Sequence, residues 1–256
     1  MLKGKTVLIT GASAGIGRAC AEVFSAESCN LILLARRGDE LEKLTTMLQK
    51  DHIFSFINIQ CDVRNRGDVN RALESLPQKW KNIDILINNA GLARGMEKLH
   101  EGLVEDWEEM IDTNIKGVLY VSRTVIPWMA ARGQGLVINI GSLAGNEIYP
   151  GGAVYCGTKH ALKAISKGMA IDLNGTGVRV CNLEPGLVET EFSLVRFHGD
   201  KDRANSIYQG YMPLAGRDIA EAALFVATRP PHVMVQNMLI TPTDQASAFV
   251  LNKKQL

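Results

Sequence analysis

Apolar residues along this chain fall into two textures: short runs rich in β-branched side chains, and longer stretches where apolar positions recur every three or four residues. The short runs, at residues 6–10, 31–35, 54–60, 83–88, 136–140, 178–183 and near 234–240, have the length and composition of strands. Stretches 41–49, 69–76, 104–131 and 154–173 carry helical spacing, with Pro127 expected to kink or end the third. Seven strands separated by helical patterns imply an α/β fold, a doubly wound parallel sheet of about seven strands. No repeat or low-complexity linker divides the chain, so residues 1–256 are expected to form a single domain. One long stretch, 187–217, is rich in charge, glycine and aromatics and lacks periodicity. A loop of that length is expected to be a lid or disordered.

The turn after the first strand reads Thr10-Gly11-Ala12-Ser13-Ala14-Gly15-Ile16-Gly17 and precedes a helix-like stretch. Strand, glycine-rich turn and helix in that order make a dinucleotide-binding turn of the Rossmann type, here spaced Gly-x-x-x-Gly-x-Gly. One glycine permits the tight turn, one the approach of a pyrophosphate and one close helix–strand packing, while the helix N-terminus offers unpaired N–H groups to the phosphates. Cofactor choice is read at the end of the second strand, where an acid would hold the ribose 2′-hydroxyl of NAD. Arg36 and Arg37 stand there instead, and no carboxylate is expected at the same spot to repel a 2′-phosphate, which favours NADP(H) over NAD. The alternative is that both arginines are solvated and that Asp39 caps the next helix or bonds the ribose.

Proton chemistry is offered by Tyr155 and Lys159, four residues apart in a helical stretch and so on one face. A phenol carries protons poorly near neutral pH unless a neighbouring cation favours the phenolate, and Lys159 is placed to supply that bias. Ser142 follows the strand-like run 136–140, so its hydroxyl is expected at a strand's carboxyl edge, where open α/β sheets bind ligands. Serine, tyrosine and lysine converging on one carbonyl would make a proton-transfer site in need of a hydride source.

Together these residues resemble the short-chain dehydrogenase/reductase family, which carries this glycine turn, an Asn-Asn-Ala-Gly segment and a Ser–Tyr–Lys set. Asn88-Asn89-Ala90-Gly91 and Asn114, in Asp112-Thr113-Asn114-Ile115-Lys116-Gly117, complete the pattern over nearly the whole chain. The resemblance implies Asn114, Ser142, Tyr155 and Lys159 as catalytic residues, with Asn114 helping to hold a water beside the lysine. It implies cofactor contacts from Gly11, Ser13, Ala14, Gly15 and Ile16, from Asn89, Ala90 and Gly91, and from Tyr155 and Lys159. Asp62, with Val63, resembles the family's adenine contact, though Asp62 could also cap the helix that follows. Pro185 and Gly186 match the nicotinamide-side turn, with Val188 and Thr190 beyond it, although that dipeptide could equally be an ordinary turn. Stretches 86–96, 107–114 and 184–199 are similar to family members that oxidise small 3-hydroxy acids such as L-serine, L-allo-threonine or 3-hydroxypropionate with NADP. A homotetramer is implied by the same resemblance. The substrate's carboxylate would need a cation beyond Ser142 and Tyr155, and Arg196, in the stretch 187–217, is the candidate; a solvated or interface role is its alternative.

Composition narrows the field further. A net charge of +1 without a long Lys/Arg run argues against a nucleic-acid partner. The five cysteines lack metal-like or paired spacing, which suggests reduced thiols and no metal site. No apolar stretch reaches the length of a membrane span, and a strand begins too early for a secretory segment, so a cytoplasmic protein is expected. Two other readings compete: a 3-oxoacyl carrier-protein reductase, which would favour a basic docking surface, and a nucleotide-binding regulator without turnover.

Overall fold

The computed structural model of the chain describes residues 2–50 and 55–254. Among them the strands are β1 (Thr6–Thr10), β2 (Asn30–Ala35), β3 (Phe56–Gln60), β4 (Ile85–Asn88), β5 (Gly135–Ile140), β6 (Val178–Pro185), β7 (Val188–Glu189), β8 (Leu214–Ala215) and β9 (Asn237–Ile240). All but β7 and β8 form one sheet in the order β3-β2-β1-β4-β5-β6-β9, and every pairing is parallel. This is the doubly wound, Rossmann-type sheet the alternation of elements predicts. Phe54, the expected start of the third strand, lies outside the described residues.

The helices are α1 (Gly15–Ala26), α2 (Gly38–Leu48), α3 (Arg66–Glu74), α4 (Val104–Ile111), α5 (Val118–Ala131), α6 (Ala153–Asp172), α7 (Phe192–Arg196), α8 (Lys201–Ser206) and α9 (Gly216–Ala227). Successive side chains of a strand point to opposite faces, and here they serve two separate cores. Val7 and Ile9 of β1 join Leu31 and Leu33 of β2 against α1, α2 and α9. Leu8 and Ile32 face the other way, toward Val69 of α3 and Val121 and Val125 of α5. Each fully buried Leu, Ile or Val contributes about 1.5–3 kcal/mol relative to exposure, so both faces hold the sheet.

Two expectations need correction. The helical stretch 104–131 is not ended at Pro127, which sits inside α5 with four helical residues after it. The break lies earlier, at the π-helical residues Asp112–Gly117 between α4 and α5, where the widened turn carries Asn114. The stretch 187–217 is not irregular either: α7, α8 and the ladder of β7 with β8 occupy much of it. Short elements of that size leave no sequence periodicity to read.

At the carboxyl ends of β4 and β5 the apolar alternation stops in favour of two buried asparagines. Asn88 Nδ2 donates to Ser122 Oγ at 3.0 Å and to Asn139 Oδ1 at 2.8 Å, and Asn139 Nδ2 donates to Ser166 Oγ at 2.8 Å. This chain ties the sheet to α5 and α6 under the floor of the site. Replacing Asn139 by Ala strands part of it, and unpaired buried polar groups cost about 1–3 kcal/mol each. Asn139→Ala is therefore expected to lower unfolding free energy by about 2 kcal/mol in urea melts; a loss below about 0.5 kcal/mol would show the chain contributes little.

Candidate active site

Reversal of strand order between β1 and β4 opens a crevice at the sheet's carboxyl edge, the usual ligand position in such folds. A cavity of about 740 Å³ occupies it. The glycine turn forms one wall. Gly11 takes a φ of +65°, and a Cβ there would stand 2.9 Å from the Ala90 Cα, so neither the conformation nor the space admits a larger residue. Asn89 secures the turn from β4: its Nδ2 donates to the carbonyl oxygens of Thr10 and Gly11 at 2.9 and 3.1 Å, and its own N–H reaches Thr10 Oγ1 at 3.0 Å.

Helix α1 begins beside this turn with no side-chain cap and no acid in its first turn. Its leading N–H groups are therefore free to meet an anion, which the macrodipole favours. Ser13, Ala14, Gly15 and Ile16 line the cavity at that end, and Thr190 packs beside Gly15. Further out, Arg36 and Arg37 line the cavity as expected, but neither stands free of carboxylates. Arg36 pairs with Glu109 at 3.4 Å and Arg37 with Glu191 at 3.0 Å, and Arg37 also reaches Ser13 Oγ at 3.4 Å. The tertiary fold brings in acids that lie distant in sequence, so the expectation of a carboxylate-free spot is corrected. Asp39 neither caps α2, whose N-cap is Arg37, nor lines the cavity; its contact is with Lys43. Asp62 and Val63 do line it. Asp62 is bonded to Arg64, and Asn65 is the residue that caps α3, so the capping alternative for Asp62 falls.

The inner end gathers Ser142, Tyr155 and Lys159 with Pro185, Gly186 and Val188. Asn89, Ala90 and Gly91 complete the wall. Asn114 does not reach it: the residue is buried, its Oδ1 accepts from Leu92 N at 2.9 Å and its Nδ2 donates to Leu92 O at 2.8 Å and Thr158 Oγ1 at 3.0 Å. Its side chain pins the irregular segment following Gly91 to α6.

Burial and the nearby Tyr149 phenol hold the Tyr155 phenol well above its ordinary pKa, against the Ser142 hydrogen bond and the Arg196 guanidinium, which both pull it down. Lys159 stands over the phenol as expected but spends its hydrogen bond elsewhere. Lys159 Nζ stands 5.8 Å from the Tyr155 ring centre and donates to Ile140 O at 2.9 Å. Arg196 is a second cation over the phenol, 5.3 Å from the Tyr155 ring and 5.4 Å from that of Tyr149, whose hydroxyl it also bonds. Arg196 makes no ion pair among the described residues. The aromatic partners Tyr149 and Phe192 were not legible in the sequence; only the position of Tyr149 directly before Pro150-Gly151-Gly152, a turn leading into α6, could have pointed to it. Gln245, whose Oε1 accepts from Leu187 N at 2.8 Å, and Glu191 had no local signal at all.

A glycine turn, an uncapped helix N-terminus and a buried Ser–Tyr–Lys group now meet in one cavity, and comparison with known proteins is decisive for kinship. The family model described as short chain dehydrogenase matches residues 5–199. The chain belongs to that family. An NADP-dependent 3-hydroxy acid dehydrogenase of Schizosaccharomyces pombe is 41% identical over 255 residues, covering 99% of this chain and 98% of that one. A namesake from Escherichia coli strain K12 is 46% identical, covering 94% of this chain and 96% of its own length. Among solved structures, a closed form of serine dehydrogenase complexed with NADP+ matches with a TM-score of 0.91 at 44% identity, covering 98% of this chain and all of that one.

Among the described residues no group of three or more metal-ligating side chains occurs, and no helix is long and apolar enough to cross a membrane. All five cysteines are free and buried, with burial pushing Cys20 up to about 12.

Lys159 provides a pH test. Burial lowers it from 10.5 to about 8, so between those values the unfolded chain binds more protons than the folded one and this group's contribution to stability rises with pH. Lys159→Met should abolish that rise. Guanidinium melts are expected to show the variant at least as stable as wild type at pH 7, with wild type gaining on it by roughly 2 kcal/mol toward pH 10. A difference that stays flat with pH would mean the ammonium keeps its hydration in the folded state.

Proposed function

We propose that this short chain dehydrogenase is an NADP-dependent oxidoreductase interconverting a small 3-hydroxy acid, such as L-serine, L-allo-threonine or 3-hydroxypropionate, with its 3-oxo acid or semialdehyde. One observation carries the substrate class: the Arg196 guanidinium lies over the Tyr155 phenol at the cavity wall without an ion-pair partner among the described residues. A half-buried cation in that state favours an anion, and guanidinium grips carboxylate through two parallel bonds. The names of the relatives support the same class.

The residues present fit NADP. The α1 N-terminus and the Gly11–Ile16 turn would hold the pyrophosphate, Ser13, Arg36 and Arg37 the 2′-phosphate, Asp62 and Val63 the adenine, and Asn89, Ala90 and Gly91 the adjoining ribose. Lys159 would take the nicotinamide ribose, with Pro185, Gly186, Val188 and Thr190 at the carboxamide side. When bound, this cofactor supplies or accepts the hydride. The chain's own part is the proton. Tyr155, kept neutral by burial, donates its hydroxyl proton to the carbonyl oxygen in reduction and takes it back in oxidation. Ser142, at the end of β5, bonds the same oxygen as charge develops there. Asn114 acts as a positioning residue for the segment at Leu92, and a water held near it would link Lys159 to solvent. The region 187–217 serves as the lid, and a cytoplasmic homotetramer of one NADP-binding domain per chain completes the proposal, with light scattering to measure its mass.

Tyr155→Phe should lower kcat by about 10²–10⁴ with NADP binding largely intact by calorimetry, since the hydroxyl carries the proton and little of the cofactor contact. Retention of most activity would remove Tyr155 from the proton path. Arg196→Leu is expected to raise KM for L-serine at least tenfold, the equivalent of one charge-assisted pair, while sparing an uncharged alcohol of similar size. Equal losses for both substrates would give Arg196 a structural role in the lid and defeat the acid reading.

A further inference from the structure

Glu109, on α4, is the only carboxylate among the described residues that pairs with three guanidinium groups. Its Oε1 takes Arg36 at 3.4 Å and Arg64 at 3.2 Å, and its Oε2 takes Arg94 at 2.7 Å. Those arginines come from different parts of the site. Arg36 lines the outer end of the cavity, and Arg64 is spent on Asp62 as well, at the adenine side. Arg94 points the other way: its Nη1 donates to Val195 O of the lid helix α7 at 2.6 Å. The next residue continues the attachment, with Gly95 N donating to Arg196 O at 2.9 Å and Arg196 Nε donating to Gly95 O at 3.2 Å. One carboxylate thus stands between the outer phosphate end and the backbone of the lid that carries Arg196.

We propose that Glu109 is a positioning residue that couples occupancy of the 2′-phosphate site to docking of α7, so that NADP closes the lid more firmly than NAD does. This rests on the reading that Arg36 meets the 2′-phosphate. Three cations sharing one carboxylate repel one another, and each receives only part of its charge. A phosphate dianion arriving beside Arg36 neutralises it and relieves Glu109 of its longest, weakest pairing. Glu109 is then left to Arg64 and Arg94, and Arg94 is held more firmly where it grips Val195 O.

A second ion pair works in the opposite direction. The same phosphate would draw Arg37 away from Glu191, at the start of the lid. Both of those side chains are about half exposed, at 48% and 55%; Arg36 is as open, at 51%, but its partner Glu109 is only 18% exposed and Arg94 only 20%. Pairs exposed on both sides are strongly screened and contribute little, so the pairings on the shielded carboxylate decide the sign.

The test is hydrogen exchange of the amides in residues 192–208, with wild type saturated separately with NADP and with NAD. Wild-type lid amides should exchange about fivefold more slowly with NADP, the low end of ordinary coupling between sites. In Glu109→Gln that ratio should fall to about one, Arg94→Met should do the same, and the double variant should add nothing further, as for members of one network. Glu109→Asp should restore part of the ratio, which a general loss of packing would not. KM for L-serine with NADP should rise about fivefold in Glu109→Gln with kcat nearly unchanged. A ratio that persists in Glu109→Gln, or equal protection by both cofactors in wild type that binds NADP more tightly, overturns the coupling alone. Equal affinity of wild type and Arg36→Ala for NADP by calorimetry overturns the 2′-phosphate reading and the coupling with it.

Discussion

The clamp of Asn89 on the glycine turn is the constraint on which the site depends. β1 and β4 are neighbours only because the chain reverses its direction of strand addition between them, and the crevice at that point would splay without a tie across it. Asn89 Nδ2 supplies the tie by donating to the carbonyl oxygens of Thr10 and Gly11 at the end of β1. That holds Gly11 in its left-handed conformation against Ala90 and aims the start of α1 into the cavity. The phosphate end and the chemical end therefore share a rigid seam rather than two independent loops.

Burial sets the electrostatics of the inner end. Removing water raises the Tyr155 phenol and lowers the Lys159 ammonium, so both groups move toward their neutral forms by the same cause. The cation that works against this on Tyr155 is Arg196, carried by α7 rather than by the helix that holds the tyrosine. The Tyr155 hydroxyl is thereby tuned by a segment distant from it in sequence. Ser142 adds a hydrogen bond in the same direction from the end of β5.

Stretch 187–217 is held by small polar attachments together with the packing of Phe192 and Val195 against the cluster around Tyr155. α7 is held at its carbonyl end by Arg94 and Gly95, Ser193 Oγ and Tyr208 OH bond at 2.7 Å, and Phe192 sets its ring edge-on to Tyr155 with centroids 5.7 Å apart.

Much of this was legible along the chain. The alternation of β-branched runs with helical spacing, the glycine turn after residue 10 and the Tyr–Lys interval of four are local patterns, each dictated by strand and helix geometry, and they specify the doubly wound sheet and the inner site directly. Local pattern failed where distance mattered. Pro127 was a poor guide because helix α5 tolerates it, while the π-helical turn at Asn114 has no compositional mark. Glu109 lies 73 residues from Arg36 and Glu191 lies 154 from Arg37, and only the folded chain brings those pairs together. Which cation faces Tyr155, how much water each charge keeps and which acid holds which guanidinium are properties of side-chain proximity and burial, and those come into being only when the chain closes on itself.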